Sequence, residues 1–241
     1  MIRKLDLSMK YGSSHISILY PGVSLGVGDS GIGSIGRIDQ ADIHGGTTIK
    51  MHPHINDEIL SYFRTGKVIH TDSAGLTETL TRSKLMLMKA GRVFYHEEKI
   101  MDRLEGLQIF IRPMHADDEP EVLFVELESE DSIDQWRMLA SNRASSHLRF
   151  TSETEIFDLS LSTGQTLGFP GTEINNAVYL LYAFQGSLLV NENLTLSKGE
   201  SIVTDEAGVT FSTSSGAEAV LFVTNPAQAC YKRGMFSGNQ R

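Results

Sequence analysis

Short apolar runs with period-two alternation, broken every few residues by Gly, Asn, Asp or Ser, occupy almost the whole chain, and long stretches of 3.6-residue period are nearly absent. Side chains that change face at every residue suit half-buried strands, so the pattern predicts an all-β sandwich or barrel. Candidate strands cover residues 16–19, 37–43, 49–52, 59–64, 67–71, 76–81, 84–88, 94–98 and 107–112. Between two of them Asp72-Ser73-Ala74-Gly75 reads as a hairpin turn, with Gly supplying the positive φ. Acidic residues then crowd His115 to Asp134, which reads as a solvated connection with one embedded strand, 122–127. The rhythm resumes at 155–161, 177–184, 187–190, 194–196, 201–204, 209–212 and 219–223, with turns at Gln185-Gly186 and Asn191-Glu192-Asn193. Two β modules, 1–125 and 126–241, imply a duplicated fold, inferred from rhythm alone. The one helix expected is 132–139, with Ser132 as its cap and Ile133, Trp136 and Leu139 at helical spacing.

Composition narrows the function classes. With 30 Asp plus Glu against 21 Lys plus Arg the net charge is −9, which argues against direct nucleic-acid binding, since phosphate neutralisation needs clustered bases. An apolar fraction of 40% with 22 Gly and 6 Pro belongs to a folded globular protein. Cys230 stands alone and excludes an intrachain disulfide. The first residues carry basic charge with no apolar stretch behind them, unlike a secretory signal, and the longest apolar run, 177–184, is too short to span a bilayer. A cytoplasmic, monomeric protein with no membrane contact is expected.

His52-Pro53-His54 is the most informative tripeptide. Residues i and i+2 of an extended segment share a face, and Pro53 restricts His52 to extended conformations, so both imidazoles can address one point. His96-Glu97-Glu98 repeats the geometry, with His96 and Glu98 on one face of a candidate strand. His52, His54, His96 and Glu98 then offer three neutral imidazoles and a carboxylate. That set suits one divalent first-row metal such as iron, manganese, nickel, copper or zinc, rather than calcium. A six-coordinate ion would keep two positions open for water, dioxygen or a chelating substrate. Structural zinc would recruit cysteines or close its shell at four.

Other features carry simpler readings. His15, His44, His70, His115 and His147 stand singly and read as surface or hydrogen-bonded residues. The Leu85-Met86-Leu87-Met88 run reads as a strand buried on both faces. The Gly26 to Gly33 stretch lacks the Lys-Ser/Thr ending of a phosphate loop and reads as an ordinary loop. No histidine follows His147, so the second module has no comparable metal site, and Asp205 and Glu206 read as turn residues.

These residues resemble the cupins. Gly46, five residues, His52-x-His54, three residues, Glu58, seven residues, Gly66 is similar to the first cupin motif with one extra residue before the last glycine, and Ala90-Gly91, four residues, His96 is similar to the second. Within the cupins the likeness is to the pirin family. It is carried by the HPH with an acidic residue four on, the hairpin segment from Gly66 to Ser73, Ala90-Gly91-Arg92 leading to His96-x-Glu98, and Leu104 to Ile111. A weaker likeness covers Gln135 to Ser141 and Leu194 to Val223, similar to the C-terminal cupin of bacterial pirin-like quercetinases. Two departures stand out: Ile55-Asn56-Asp57 where pirins usually carry Arg-Gly-Phe, and Ser83-Lys84 in place of a Gly-Asp.

The resemblance implies a bicupin whose N-terminal barrel holds one iron, Fe(II), through His52, His54, His96 and Glu98. In many cupins the residue matching Glu58 is the carboxylate ligand; the pirin pattern favours Glu98 and leaves Glu58 to accept a hydrogen bond from a ligand imidazole. Two functions are expected to compete. One is a dioxygenase that takes dioxygen and a flavonol or similar chelating aromatic, with Glu98 or Glu58 as the catalytic proton acceptor. The other is a non-catalytic, metal-bearing interaction protein that co-regulates transcription through a protein partner.

Overall fold

The computed structural model describes residues 1–24, 28–128 and 132–238. Its sheets are antiparallel throughout, as the alternation predicts. The chain divides into two compact units. One gathers Met1–Met9, Glu128–Arg149 and Glu153–Gln228; the other gathers Lys10–Leu127, Phe150–Ser152 and the described part of Ala229–Arg241. The units therefore do not follow a single cut at 125/126. Arg3–Leu5 hydrogen-bonds along Ser201–Thr204, and the chain from Ala229 returns to the histidine-bearing unit, where the Tyr231 N–H reaches the Pro113 carbonyl at 2.8 Å.

The histidine-bearing unit has two sheets among the described residues. A four-stranded sheet runs Thr48–His54, Phe94–Ile100, Val68–Asp72, Thr77–Leu80. A seven-stranded sheet runs Glu121–Glu126, Lys84–Lys89, Glu58–Thr65, Leu104–Ile111, Ile35–Ile43, Ile16–Leu19, Lys10–Gly12. Phe63, Val68, Leu80, Met86, Ile100 and Leu104 pack in its core, and all four residues from Leu85 to Met88 are buried, as expected for a wall strand. The turn at Asp72 forms as its residues dictate. The Asp72 carboxylate accepts from the N–H groups of Ala74 at 2.9 Å and Leu76 at 3.0 Å, and Gly75 takes φ 91°.

The second unit is built on the sheet order Arg3–Leu5, Ser201–Thr204, Val178–Val190, Ala217–Thr224, Thr154–Leu161, Arg137–Ser141. Two local expectations fail here. The helix expected at 132–139 is not formed: Arg137–Ser141 is a strand against Thr154–Leu161, and Arg137 is buried in a two-pronged ion pair with Asp158 at 2.9 and 2.6 Å. An eight-residue helix is marginal by itself, and cross-strand pairing with a buried ion pair outweighs it. Gln185-Gly186 is not a turn but a bulge within one strand, Val178–Val190, with Gly186 at φ 73°. The bulge bends the strand from Ala217–Thr224 toward Leu194–Ser197.

The Gly26 to Gly33 loop lies partly outside the described residues. From Gly28 on, Asp29 is occupied by Arg112, at 3.0 Å to Nη1, and by Lys232 at 2.8 Å, so an acidic, ion-paired segment stands where a phosphate loop would need free N–H groups.

Candidate metal centre

The four-stranded sheet assembles the histidines. His96 is the register partner of His52, and Phe94 that of His54, so the i and i+2 imidazoles of Thr48–His54 face the His96 ring across one ladder. Thr48–His54 is an edge strand of its sheet, which is where a proline such as Pro53 is tolerated without loss of a central ladder bond. The His54 Nε2 lies 3.1 Å from the His52 Nε2 and 3.0 Å from the His96 Nε2. Two nitrogens about 2.1 Å from one ion stand about 3.0 Å apart at a right angle and about 3.4 Å apart at the tetrahedral angle. Both separations fit neighbouring positions of an octahedron.

Proton counting favours a cation at that point. The His52 Nδ1 is 2.9 Å from the Lys50 carbonyl, which assigns its N–H to Nδ1 and leaves a lone pair on Nε2. The His96 Nδ1 is 3.2 Å from the Nδ1 of His70, which can likewise take the His96 N–H. A proton on the His54 Nε2 would satisfy only one of the two neighbours it faces, whereas one metal ion satisfies all three. Burial, then the charges of His52 and Arg37, hold His54 down at about 3; burial, then its neighbouring histidines, hold His96 at about 2. Both rings are therefore neutral at ordinary pH, the form that ligates metal.

Glu98 takes a different place from the one its spacing suggests. The ladder slips between His96 and Glu98, so that Glu98 pairs with Ile49, and its carboxylate gathers with His70 and His96 rather than with His52 and His54. It is buried and accepts from Gln108 Nε2 at 3.1 and 3.2 Å, while burial pushes it up to about 7 against that hydrogen bond. His70, read from the sequence as an isolated residue, is fully buried opposite Glu98 in the register and belongs to this second cluster. Its signal was available in the alternation of Val68–Asp72, where Val68, His70 and Asp72 share the buried face.

Glu58 belongs to neither cluster among the described residues. Its carboxylate accepts the Thr151 N–H, 3.1 Å to each oxygen, in place of a ligand imidazole, and lines a small cleft with Lys89 and Asp118. Burial pushes it up to about 7, with the Thr151 hydrogen bond opposing. His15 and His44 pair with each other at 5.7 Å between ring centroids, and His115 and His147 are exposed.

One contributor is far away in the sequence. The His54 ring packs against Phe110, with centroids 6.2 Å apart, and against Phe236, 5.1 Å apart. Arg37 sets its guanidinium over both phenyl rings, at 5.3 and 5.1 Å. No local pattern announces a residue of the C-terminal segment at the ligand face.

The comparisons with known proteins bear on the same region. The Pirin family model matches residues 31–111, which contain every histidine of the two clusters. A candidate quercetin 2,3-dioxygenase of Zymomonas mobilis is 23% identical over 183 residues, 74% of this chain and 77% of that protein. The quercetin 2,3-dioxygenase of Escherichia coli K12 is 34% identical over 86 residues, 34% of this chain and 37% of that protein. Among solved structures, the bacterial pirin YhhW of Escherichia coli in complex with nickel(II) superposes with a TM-score of 0.78 at 20% identity, covering 94% of this chain and all of that one. At that identity the likeness speaks for the fold, a bicupin.

Proposed function

We propose that the chain, whose residues 31–111 match the Pirin family model, is a pirin-like, metal-dependent dioxygenase acting on a flavonol or a similar chelating aromatic. The observation that carries the reading is the approach of the His52 and His96 Nε2 atoms to that of His54, at 3.1 and 3.0 Å. Those residues would hold one divalent transition metal, Fe(II) by preference, and the nickel(II) of YhhW supports a set that accepts more than one ion of this class. Such an ion supplies Lewis acidity toward a substrate oxygen and open positions for oxygen chemistry.

The protein's own groups do the rest. Glu98, gathered with His70 and His96 beside the three-imidazole group, is the acceptor for a substrate hydroxyl proton; a group at about 7 is poised near working pH for that transfer. Gln108 holds both Glu98 oxygens and so fixes the direction from which the proton arrives. Phe94, Phe110 and Phe236, packed with Ile59 and Met88, give the site an apolar wall against which an aromatic ring loses little on leaving water. Glu58, occupied by Thr151, is assigned a structural part.

Anaerobic purification with metal analysis, followed by oxygen uptake on a panel of flavonols and catechols, tests the reading. Uptake that requires the metal and is lost in His96→Ala supports it. A metal-loaded protein that neither consumes oxygen nor changes its absorption with any chelating aromatic of the panel overturns it.

A further inference from the structure

We propose that residues 234–238 form a wall of the three-imidazole site and that Phe236 is the positioning residue for the His54 imidazole. The inference rests on reading that site as the metal centre, and its test separates the two.

Of the three imidazoles, His52 and His96 each have a partner at Nδ1, whereas the His54 Nδ1 is buried with no hydrogen-bond partner among the described residues. An unpaired buried nitrogen is unfavourable, and it also leaves the ring without a polar stop against rotation. Packing is what remains to orient it. Phe110 belongs to Leu104–Ile111 and is fixed by the sheet. Phe236 belongs to no strand, yet it lies nearer to His54 and contacts Phe110 at 5.3 Å.

What fixes Phe236 is the chain immediately after His54. The Met235 N–H reaches the Ile55 carbonyl at 2.8 Å, and the Asp57 carboxylate accepts the N–H groups of Phe236 at 3.0 Å and Ser237 at 2.8 Å. Arg112 Nε adds a bond to the Ser237 carbonyl at 3.0 Å. There is no room for adjustment: a Cβ on Gly234 would stand 2.4 Å from the Asn56 carbonyl oxygen and from Asp57 Oδ1, and one on Gly36 would stand 2.2 Å from the Ser237 oxygen. The turn that ends the ligand strand and the segment that packs the ligand ring are thus one hydrogen-bonded piece. Asp57, the last residue of the Ile55-Asn56-Asp57 departure, is buried and spends both its oxygens on this segment.

The test uses the full-length protein and two readouts: nickel(II) affinity by chelator competition, and the imidazole nitrogen signals of His54 by NMR without metal. Phe236→Ala is expected to weaken nickel binding about tenfold, within the range for residues that orient a ligand, and to broaden or split the His54 signals while those of His52 and His96 persist. Phe236→Tyr, which keeps the ring, is expected to restore both. Gly234→Ala, which unseats the segment with Phe236 intact, is expected to reproduce the Phe236→Ala pattern and decides the matter where Phe236→Ala does not fold. Wild-type affinity and a single sharp His54 signal in the variants, or a loss of thermal stability alone, would overturn the proposal while the metal reading stands. If the wild type takes up no nickel, the metal reading falls, and the His54 spectrum still decides for or against Phe236.

Discussion

The Nδ1 atoms of His70 and His96 face each other at 3.2 Å across neighbouring strands, both rings buried. An N–H on one and a lone pair on the other is the only neutral arrangement that joins them, and with the proton on His96 its Nε2 is free to ligate. His70→Ala is therefore expected to weaken metal binding by about 10–100-fold, and His70→Gln, which retains an acceptor, by less. Equal affinity in wild type and His70→Ala, measured by chelator competition, would remove His70 from the site.

Removing a ligand should be harsher. His52→Ala, His54→Ala and His96→Ala are each expected to strip most of the metal and to leave the far-ultraviolet spectrum unchanged, because the hydrophobic core does not pass through these rings. Elemental analysis that finds full occupancy in any two of the three would refute the assignment.

Glu98→Gln is expected to lower metal affinity more than Glu58→Gln, since Glu98 is clustered with His96 while Glu58 is spent on Thr151. The reverse order would transfer the carboxylate role to Glu58.

Glu58 also makes a pH prediction. Burial raises its pKa from the ordinary 4.5 to about 7 in the folded protein, so the folded state binds the proton more tightly than the unfolded chain. Stability from this group is full below about 4.5 and declines as pH rises through about 7, by an amount on the order of 3 kcal/mol. Glu58→Gln is always neutral and can still accept the Thr151 N–H. Relative to wild type it should gain stability between pH 5 and pH 8 in denaturant titrations; parallel pH profiles of the two proteins would contradict the assignment.

Much of this was legible in the residues because it is local. A proline between two histidines and an i, i+2 pair forty residues on are enough to aim three imidazoles, and the alternation marked strands that the sheets reproduce within a few residues. What was hidden depends on partners that no window contains. His70 joins the site only because Val68–Asp72 lies beside Phe94–Ile100 in the sheet, and Glu98 leaves the three-imidazole group only because the ladder slips by a bulge. The strand at Arg137–Ser141 needed Asp158 to absorb a buried guanidinium, and without that partner the helical spacing of Ile133, Trp136 and Leu139 was the stronger local signal. Phe236 is the extreme case, since its place is decided by the carboxylate of Asp57.

Because His52 and His54 lie on one strand and His96 on another of the same unit, unfolding that unit scatters the donors. The activity of a metal held by these donors would then be thermodynamically linked to the melting of that unit. An ion free at a hundred times its dissociation constant adds about 2.7 kcal/mol to the unit that holds it and nothing directly to the other. Chelation thus acts as a selective thermal probe. In a calorimetric scan it should move the transition of the histidine-bearing unit and leave in place any separate transition of the unit built on Val178–Val190.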